Sequence, residues 1–450
     1  MLSLSLAEIA ELLEGDPRGG TATVTGVTTD SRAVARGNLF VALRGPRFDG
    51  HDHAASALAA GAAGALLARP VPGATPAVVV DDTLAGLGAL GRAWRRRCSA
   101  RIAAITGSNG KTTVKGMLAT ILERVAPTLA TEGNLNNAIG VPLTLARLDA
   151  GHRFGVVEMG ANHGGEIDYL TGLAEPDVGV VTNAGPAHLE GFGDLDGVAR
   201  GKGELFARLP DGATAVINAD DPYSEPWRAT AGERPVLTFG TGAHCDVRAG
   251  VDADGLVLHL DGAAWPLRLA LPGQHNIANA LAAAAVARVL GVDPATIRAG
   301  LEAFQGVDGR LQRRPGLHGS VLLDDTYNAN PASLAAGLDV LRGLAPRTWL
   351  VLGDMGELGG AGRALHAEAG EQARRAGVER LYALGTLGAE AASAFGPGGQ
   401  ALADREALLA ALRAELDGDV ALLVKGSRSM GMERVVVALT APETTVGEGD

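Results

Sequence analysis

An α/β protein made of three successive units is what the sequence predicts, and three observations carry that expectation. At 450 residues the chain exceeds what one hydrophobic core supports, so about two to four domains are expected. Short apolar runs alternate with stretches of helical length, the pattern of mainly parallel sheets covered on both faces. Glycine-rich turns follow several of the runs, the edge at which open α/β sheets hold ligands.

The first unit, residues 1–82, opens with Ser5-Leu6-Ala7-Glu8, a capping box ahead of Ile9, Leu12 and Leu13 at helical spacing. Gly15 closes that helix. Strands are expected over 21–27, 39–43, 65–67 and 77–80, with a helix over 54–63 between the second and third. A linking helix over 84–97 leads into the second unit, 83–310. Its strands are expected over 102–105, 154–158, 178–182 and 215–217. Over 236–271 short strands with Gly and Asp turns suggest an antiparallel edge, and an alanine-rich helix follows over 276–290. The third unit, 311–450, has buried strands over 321–323, 349–352, 381–384 and 421–424, separated by helices such as 363–376 and 405–415. It reads as a second doubly wound domain. The tail over 440–450 is polar, acidic and expected to fray.

Composition excludes several classes. The net charge of −12 with no basic block argues against a nucleic-acid surface. Cys98 and Cys245 are too few for a disulfide framework or a cysteine zinc site. The early Glu8, Glu11 and Glu14 do not suit a signal peptide, and no apolar run is long enough to span a bilayer. Cytoplasmic residence without membrane insertion is the expectation.

The strongest single motif is Ile105-Thr106-Gly107-Ser108-Asn109-Gly110-Lys111-Thr112-Thr113. It lies between an apolar run and a helical stretch. Small residues let backbone N–H groups curl around a phosphate, and the helix N-terminus adds partial positive charge. Lys111 would reach the outer phosphates and Thr112 would offer a hydroxyl to Mg²⁺. The usual phosphate-loop pattern wants glycine where this chain has Ile105, so the loop is a shortened variant. An ordinary glycine-rich turn is the competing reading. Bound nucleoside triphosphate is the expectation.

Other candidates are less specific. Glu158 ends an apolar run and would offer Mg²⁺ a carboxylate; a solvated strand-end glutamate is the alternative. His188 follows another strand, as metal contact, general base or packed histidine. Lys202, taken alone, reads as an ordinary exposed lysine. His275, Asn276 and Asn279 fall at the start of the alanine-rich helix; the two asparagines share a face, and the alternative reading is that Asn276 merely begins the helix. The run Asp324-Asp325-Thr326-Tyr327-Asn328-Ala329-Asn330-Pro331 is denser in polar groups than a turn requires.

Taken in order, the motifs resemble the Mur ligases of peptidoglycan precursor synthesis over nearly the whole chain. The residues carrying this are Thr29-Asp30-Ser31-Arg32, Gly37 to Ala42, Gly133-Asn134-Leu135-Asn136-Asn137 through Pro142, Glu158 to His163, Asp325 to Pro331, Leu352 to Gly359, and Val424 to Arg428. They are most similar to the members that add D-alanyl-D-alanine. The resemblance implies a UDP-sugar-binding first domain, a central phosphate-loop ATPase domain and a Rossmann-like third domain. It implies ATP, two Mg²⁺ ions, and UDP-N-acetylmuramoyl-tripeptide and D-alanyl-D-alanine as partners. A monomer is the separate expectation. Thr112 and Glu158 then match ligands of one Mg²⁺. His188 and Lys202 match those of the second, Lys202 as a carbamate. Adenine and ribose would lie near His275, Asn276, Asn279, Arg310 and Asp325. Thr29, Ser31 and the Arg44–Arg47 loop would hold the uridine diphosphate, and Asn328, Lys425 and Arg428 the acceptor side. Glu357 or Asp354 would orient the incoming ammonium.

Three rivals stay open. The member adding the third peptide residue typically carries Asp-Asn-Pro-Arg in the third domain, whereas the Asn-Pro pair here is flanked by Ala329 and Ala332. Folylpolyglutamate synthase lacks the segment matched by residues 29–42. A nucleotide-binding scaffold without catalysis is the rival from a different class; Lys111, Thr112, Glu158, His188 and Lys202 together argue against it.

Overall fold

A computed structural model describes residues 2–253 and 255–441. Three sheets organise it. In the first segment the capping box forms as expected, Ser5 and Glu8 closing the N-terminus of helix Leu6–Leu12. The five-stranded sheet runs Asp16–Arg18, Ala77–Val79, Gly64–Leu67, Asn38–Val41, Gly26–Thr28. All its pairs are parallel except that of the Asp16–Arg18 edge. The single strand expected over 21–27 is in fact broken at Thr25, whose N–H donates to Gly37 O (2.8 Å). Thr23–Val24 pairs with Leu4–Ser5, and Gly26–Thr28 pairs with Asn38–Val41.

Helix Thr83–Arg97 is capped by the Asp82 carboxylate. Its Leu87 and Leu90 belong to the core of the first segment, while Trp94 packs against both that core and the next. The helix is thus shared between two cores, which is why its pattern alone reads as a linker.

The central sheet has nine strands, ordered Thr128–Ala130, Phe154–Glu158, Arg101–Thr106, Val178–Val181, Thr214–Asn218, Val236–Gly240, Val247–Asp252, Gly255–Leu260, Ala263–Pro266. Connections after Arg101–Thr106 run first to one side and later to the other, so the topological switch lies at this strand. Helices Lys111–Glu123, Gln274–Val289 and Pro294–Ala303 cover one face, with Ala280 to Ala287 almost wholly buried. Helices Glu166–Ala174 and Leu195–Arg208 cover the other. The antiparallel edge expected over 236–271 starts later. Val236–Gly240 and Val247–Asp252 continue the parallel order, and only the last two pairings are antiparallel. The Asp246 carboxylate accepts from both Thr238 N–H and Oγ1 (2.7 Å each) and ties down the short connection between those parallel strands.

The third sheet runs Gln312–Pro315, Val321–Asp325, Val420–Lys425, Arg347–Gly353, Arg380–Leu384, Gly399–Leu402, parallel except for the first pair. Both edge strands are polar and carry no apolar run, so the sequence pattern misses them. Thr440 bridges Gly316; the rest of the expected frayed tail, from 442 on, lies outside the described residues. Among the described residues no helix is long and apolar enough to cross a membrane.

Candidate active site

The turn after strand Arg101–Thr106 needs glycine twice. Gly107 and Gly110 have φ of +139° and +82°. A Cβ at Gly107 would meet Thr182 Oγ1 at 2.0 Å, and one at Gly110 would meet Asn279 Oδ1 at 2.3 Å. Neither the backbone conformation nor the space admits a side chain. The next strand end braces the turn: Ser108 N–H donates to Asn183 O (3.0 Å), Asn109 N–H to Asn183 Oδ1 (3.0 Å), and Thr182 Oγ1 to Asn109 O (2.6 Å). Helix Lys111–Glu123 starts at once, as its sequence predicts.

Lys111 folds back over the turn, donating to Gly107 O (2.6 Å) and Ser108 O (3.2 Å). Burial lowers its ammonium to about 8, against the pull of Glu158 and with help from Arg310. Among the described residues no carboxylate is bonded to it. A buried cation held only by carbonyls is poised for an anion.

Glu158 ends its strand almost fully buried, at 2 % exposure. Thr131 Oγ1 accepts from its N–H (3.0 Å), and Asn136 Nδ2 donates to Oε1 (2.9 Å). Burial raises its carboxyl, but Lys115, Lys111, Asn136 and Thr112 outweigh that and hold it below the usual range. Its Oε2 lies 3.3 Å from Lys115 Nζ, yet the angles make no hydrogen bond, leaving a buried carboxylate oxygen without one. Such an atom is costly unless a cation completes it. Among the described residues no group of three His, Cys, Asp or Glu is placed to hold a metal. Mg²⁺ takes one or two carboxylates and fills its shell with phosphate oxygens and water. Thr112 and Glu158 suit it as oxygen donors.

Lys202 corrects the expectation of an ordinary exposed lysine. It is 1 % exposed, because helix Leu195–Arg208 turns this face toward the sheet. Nζ donates to Ala161 O (3.2 Å) and stands 5.1 Å from the centre of the Phe192 ring. With no carboxylate bonded to it, burial and then Lys111 lower it to about 7. His188 sits in left-handed backbone (φ 53°) after its strand, with Nδ1 2.7 Å from Glu357 of the third segment. Burial lowers its imidazole, aided by Lys202 and Lys111 and opposed by Glu357 and Glu166. Burial disfavours the charged ring, and a neutral imidazole nitrogen is a donor atom for a metal.

Two cavities meet at the turn. One, of about 360 Å³, is lined by residues 108–113, Glu158, His188, Arg310, Asp325, Asn328, Lys425 and Arg428, among others. The second, of about 470 Å³, is walled by Asn109, Gly110, His275, Asn276, Asn279, Arg310 and Asp325. Asn279 Nδ2 donates to Asn276 Oδ1 (3.2 Å), so the pair shares a face; the helix begins earlier, at Gln274 after Gly273, and Asn276 does not cap it. The His275 Nε2 is buried without a partner.

The structure brings Lys111, Thr112, Glu158, His188, Arg310, Asp325, Asn328, Lys425 and Arg428 together, with Lys202 beneath the floor. Thr29, Ser31, Arg44 and Arg47 do not line either cavity; they lie on the first segment, the arginines on the hairpin Arg44–Gly45 and Phe48–Asp49. Lys425 is not on a loop. It ends strand Val420–Lys425, 1 % exposed, bonded to the Asp325 carboxylate and to Asn328 O (3.0 Å). Asp325 and Lys425 are thus committed to each other.

Sequence reasoning passed over Lys115, and it named Asn136 and Tyr327 only as members of motifs, without a role. Lys115 lies one turn after Lys111 on the same helix, a signal available from spacing. Tyr327 holds the Arg310 guanidinium 4.0 Å from its ring centre and that of Arg428 at 5.6 Å. Only the fold reveals it.

Residues 105–287 match the family described as "Mur ligase middle domain", 309–428 match "Mur ligase, glutamate ligase domain", and 23–81 match "Mur ligase family, catalytic domain". The chain is 42% identical to the UDP-N-acetylmuramoyl-tripeptide–D-alanyl-D-alanine ligase of Escherichia coli K12, over 98% of this chain and 99% of that one. It is 38% identical to the ligase of the same name from Mycobacterium tuberculosis H37Rv, over 99% of each. A crystal structure of MurF from Acinetobacter baumannii superposes with a TM-score of 0.90 at 34% identity, covering 97% of this chain and 98% of that one. MurF ligase from Thermotoga maritima in complex with ADP gives 0.80 at 28% identity, covering 92% and 96%.

Proposed function

The chain belongs to the Mur ligase family, and from that premise we propose that it joins D-alanyl-D-alanine to UDP-N-acetylmuramoyl-tripeptide while cleaving ATP to ADP and phosphate. The observation that carries the reading is one cleft in which Lys111, Glu158 and His188 face Arg310 and Arg428 across two sheets, with buried Lys202 below.

The C-terminal carboxylate of the tripeptide attacks the γ-phosphorus, and the bond to the β-phosphate oxygen breaks, giving an acyl phosphate and ADP. Two anions must approach, so the uncommitted cations Lys111 and Arg310 offset the charge on the transferring group. Bound Mg²⁺, held by Thr112 and Glu158 and by His188 with Lys202, would supply further charge neutralisation. The dipeptide amine then attacks the acyl carbon, phosphate leaves and the amine gives up a proton. Glu357 and Asp354 lie on the turn after strand Arg347–Gly353, fixed by Ser427 donating to Asp354 O (2.7 Å) and Gly388 N–H donating to Asp354 Oδ1 (2.7 Å). From there Glu357 orients the incoming ammonium, and Arg428 meets the dipeptide carboxylate. The second cavity takes adenine and ribose. The first segment, with Thr29, Ser31, Arg44 and Arg47, takes the uridine diphosphate. The division at residues 82 and 310 and a cytoplasmic location, where such nucleotides are made, belong to the same proposal.

Lys202 supports a carbamate. A buried amine lowered to about 7 is largely neutral at pH 8, so its lone pair attacks CO₂ and the N–H proton leaves to solvent. The product is an anion in place of an amine that could only repel or ignore a metal bound there. The test is product mass with UDP-linked tripeptide, ATP and D-alanyl-D-alanine. Formation of the pentapeptide nucleotide with dipeptide-dependent phosphate release supports the reading; its absence overturns it.

A further inference from the structure

The turn after strand Arg347–Gly353 is tied down more heavily than a connection requires. Asp354 O accepts from Ser427 N–H (3.0 Å) and from Ser427 Oγ (2.7 Å), and Asp354 Oδ1 accepts from Gly388 N–H (2.7 Å). Met355 and Leu358 are buried in the core of the third sheet. Between these two anchors Glu357 sits in left-handed backbone, at φ 61°, with its carboxylate 2.7 Å from His188 of the central segment. A glutamate keeps that conformation only where its surroundings hold it there.

The remaining tie is a histidine that the mechanism above does not use. His366 lies on helix Gly362–Arg375 and is 0 % exposed. Met355 N–H donates to its Nε2 (2.8 Å). A backbone amide can only donate, so Nε2 carries no proton and the neutral ring bears its hydrogen on Nδ1. Nδ1 lies 2.6 Å from Gly362 O and donates to it. Both ring nitrogens are thus spent on backbone, one on the first residue of the helix and one on the turn. The bond to the turn falls two residues before Glu357, so it fixes the segment from which that carboxylate projects.

We propose that His366 is a positioning residue for the amide-forming step: it holds the turn at Met355 so that Glu357 stands where the dipeptide ammonium enters. The inference rests on the ligase reading above and on the part given there to Glu357. The imidazole itself meets no substrate and acts through Met355 N–H.

Two polar replacements divide its bonds. In His366→Gln the side-chain oxygen reaches the place of Nε2 and keeps an acceptor for Met355 N–H. In His366→Asn the shorter amide stops at Gly362 O and leaves Met355 N–H without its acceptor. The asparagine variant should raise KM for D-alanyl-D-alanine about tenfold, with KM for ATP and for the UDP-linked tripeptide changed less than about twofold. The glutamine variant should stay within about twofold of the unmodified enzyme on all three. A double-mutant cycle supplies a readout that a merely structural role would not move. In a Glu357→Gln background, His366→Asn should add less than about twofold, because the group it positions is already gone. An equal rise in all three KM values, or an undiminished loss in the Glu357→Gln background, overturns the proposal and leaves the ligase reading intact. If His366→Asn does not fold, nitrogen-15 NMR of histidine-labelled enzyme decides, with the His366 signal identified by its loss in His366→Gln. The Nδ1–H tautomer supports the proposal and the Nε2–H tautomer overturns it. No product from the unmodified enzyme overturns the ligase reading, and this inference with it.

Discussion

Replacing Lys202 with methionine separates stability from activity. The ammonium is 1 % exposed, with a carbonyl and a ring face as its nearest partners. Its fall from the ordinary 10.5 to about 7 corresponds to about 5 kcal/mol, at about 1.4 kcal/mol per tenfold change in proton affinity. The folded pKa is depressed, so between about 7 and 10.5 the unfolded chain binds more protons than the folded one. Wild-type stability therefore rises with pH across that window. Methionine fills nearly the same space without a charge. In bicarbonate-free buffer Lys202→Met should be more stable by about 2–4 kcal/mol below pH 7, with the gain shrinking toward pH 10. Urea unfolding followed by tryptophan fluorescence reads this, one of the four tryptophans, Trp227, lying against Gly203, next to Lys202 in the chain. Dipeptide-dependent phosphate release should meanwhile be nearly abolished, and short carboxylates should restore part of it in Lys202→Ala, where the cavity is open. A methionine variant that is less stable at pH 6.5, or that turns over normally, would refute the argument.

Other outcomes follow from the same geometry. Lys111→Ala should abolish phosphate release with all substrates present, as measured by a coupled phosphate assay; near-normal turnover would remove the turn from the mechanism. Arg428→Ala should raise the dipeptide KM about tenfold, more than the ATP KM, since its guanidinium is 68 % exposed with Glu433 at 4.0 Å. Lys425→Met alone should cost about 3–5 kcal/mol by stranding the Asp325 carboxylate, and adding Asp325→Asn should recover most of that in denaturant melts. Gly110→Ala should lose ADP binding by calorimetry, because its Cβ would stand 2.3 Å from Asn279 Oδ1.

The sequence by itself determined the elements whose cause is local. The turn 107–110, the helix start at Lys111 and the Ser5–Glu8 capping box were legible because they follow from neighbours a few residues apart. The strands Phe154–Glu158 and Val178–Val181 were legible because burial on both faces writes an unbroken apolar run. Motif order identified the family and most of the cleft. Burial and pairing were decided only by the tertiary structure. Lys202 reads as a surface lysine until its helix face meets Ala161 O and Phe192. The Lys115–Glu158 pair joins residues on separate elements, and Lys425 finds Asp325 one hundred positions away. The break at Thr25 likewise needs Gly37 O as its acceptor. Short-range periodicity encodes which face of an element is apolar, but a side chain's charge state depends on what the opposing element puts against it.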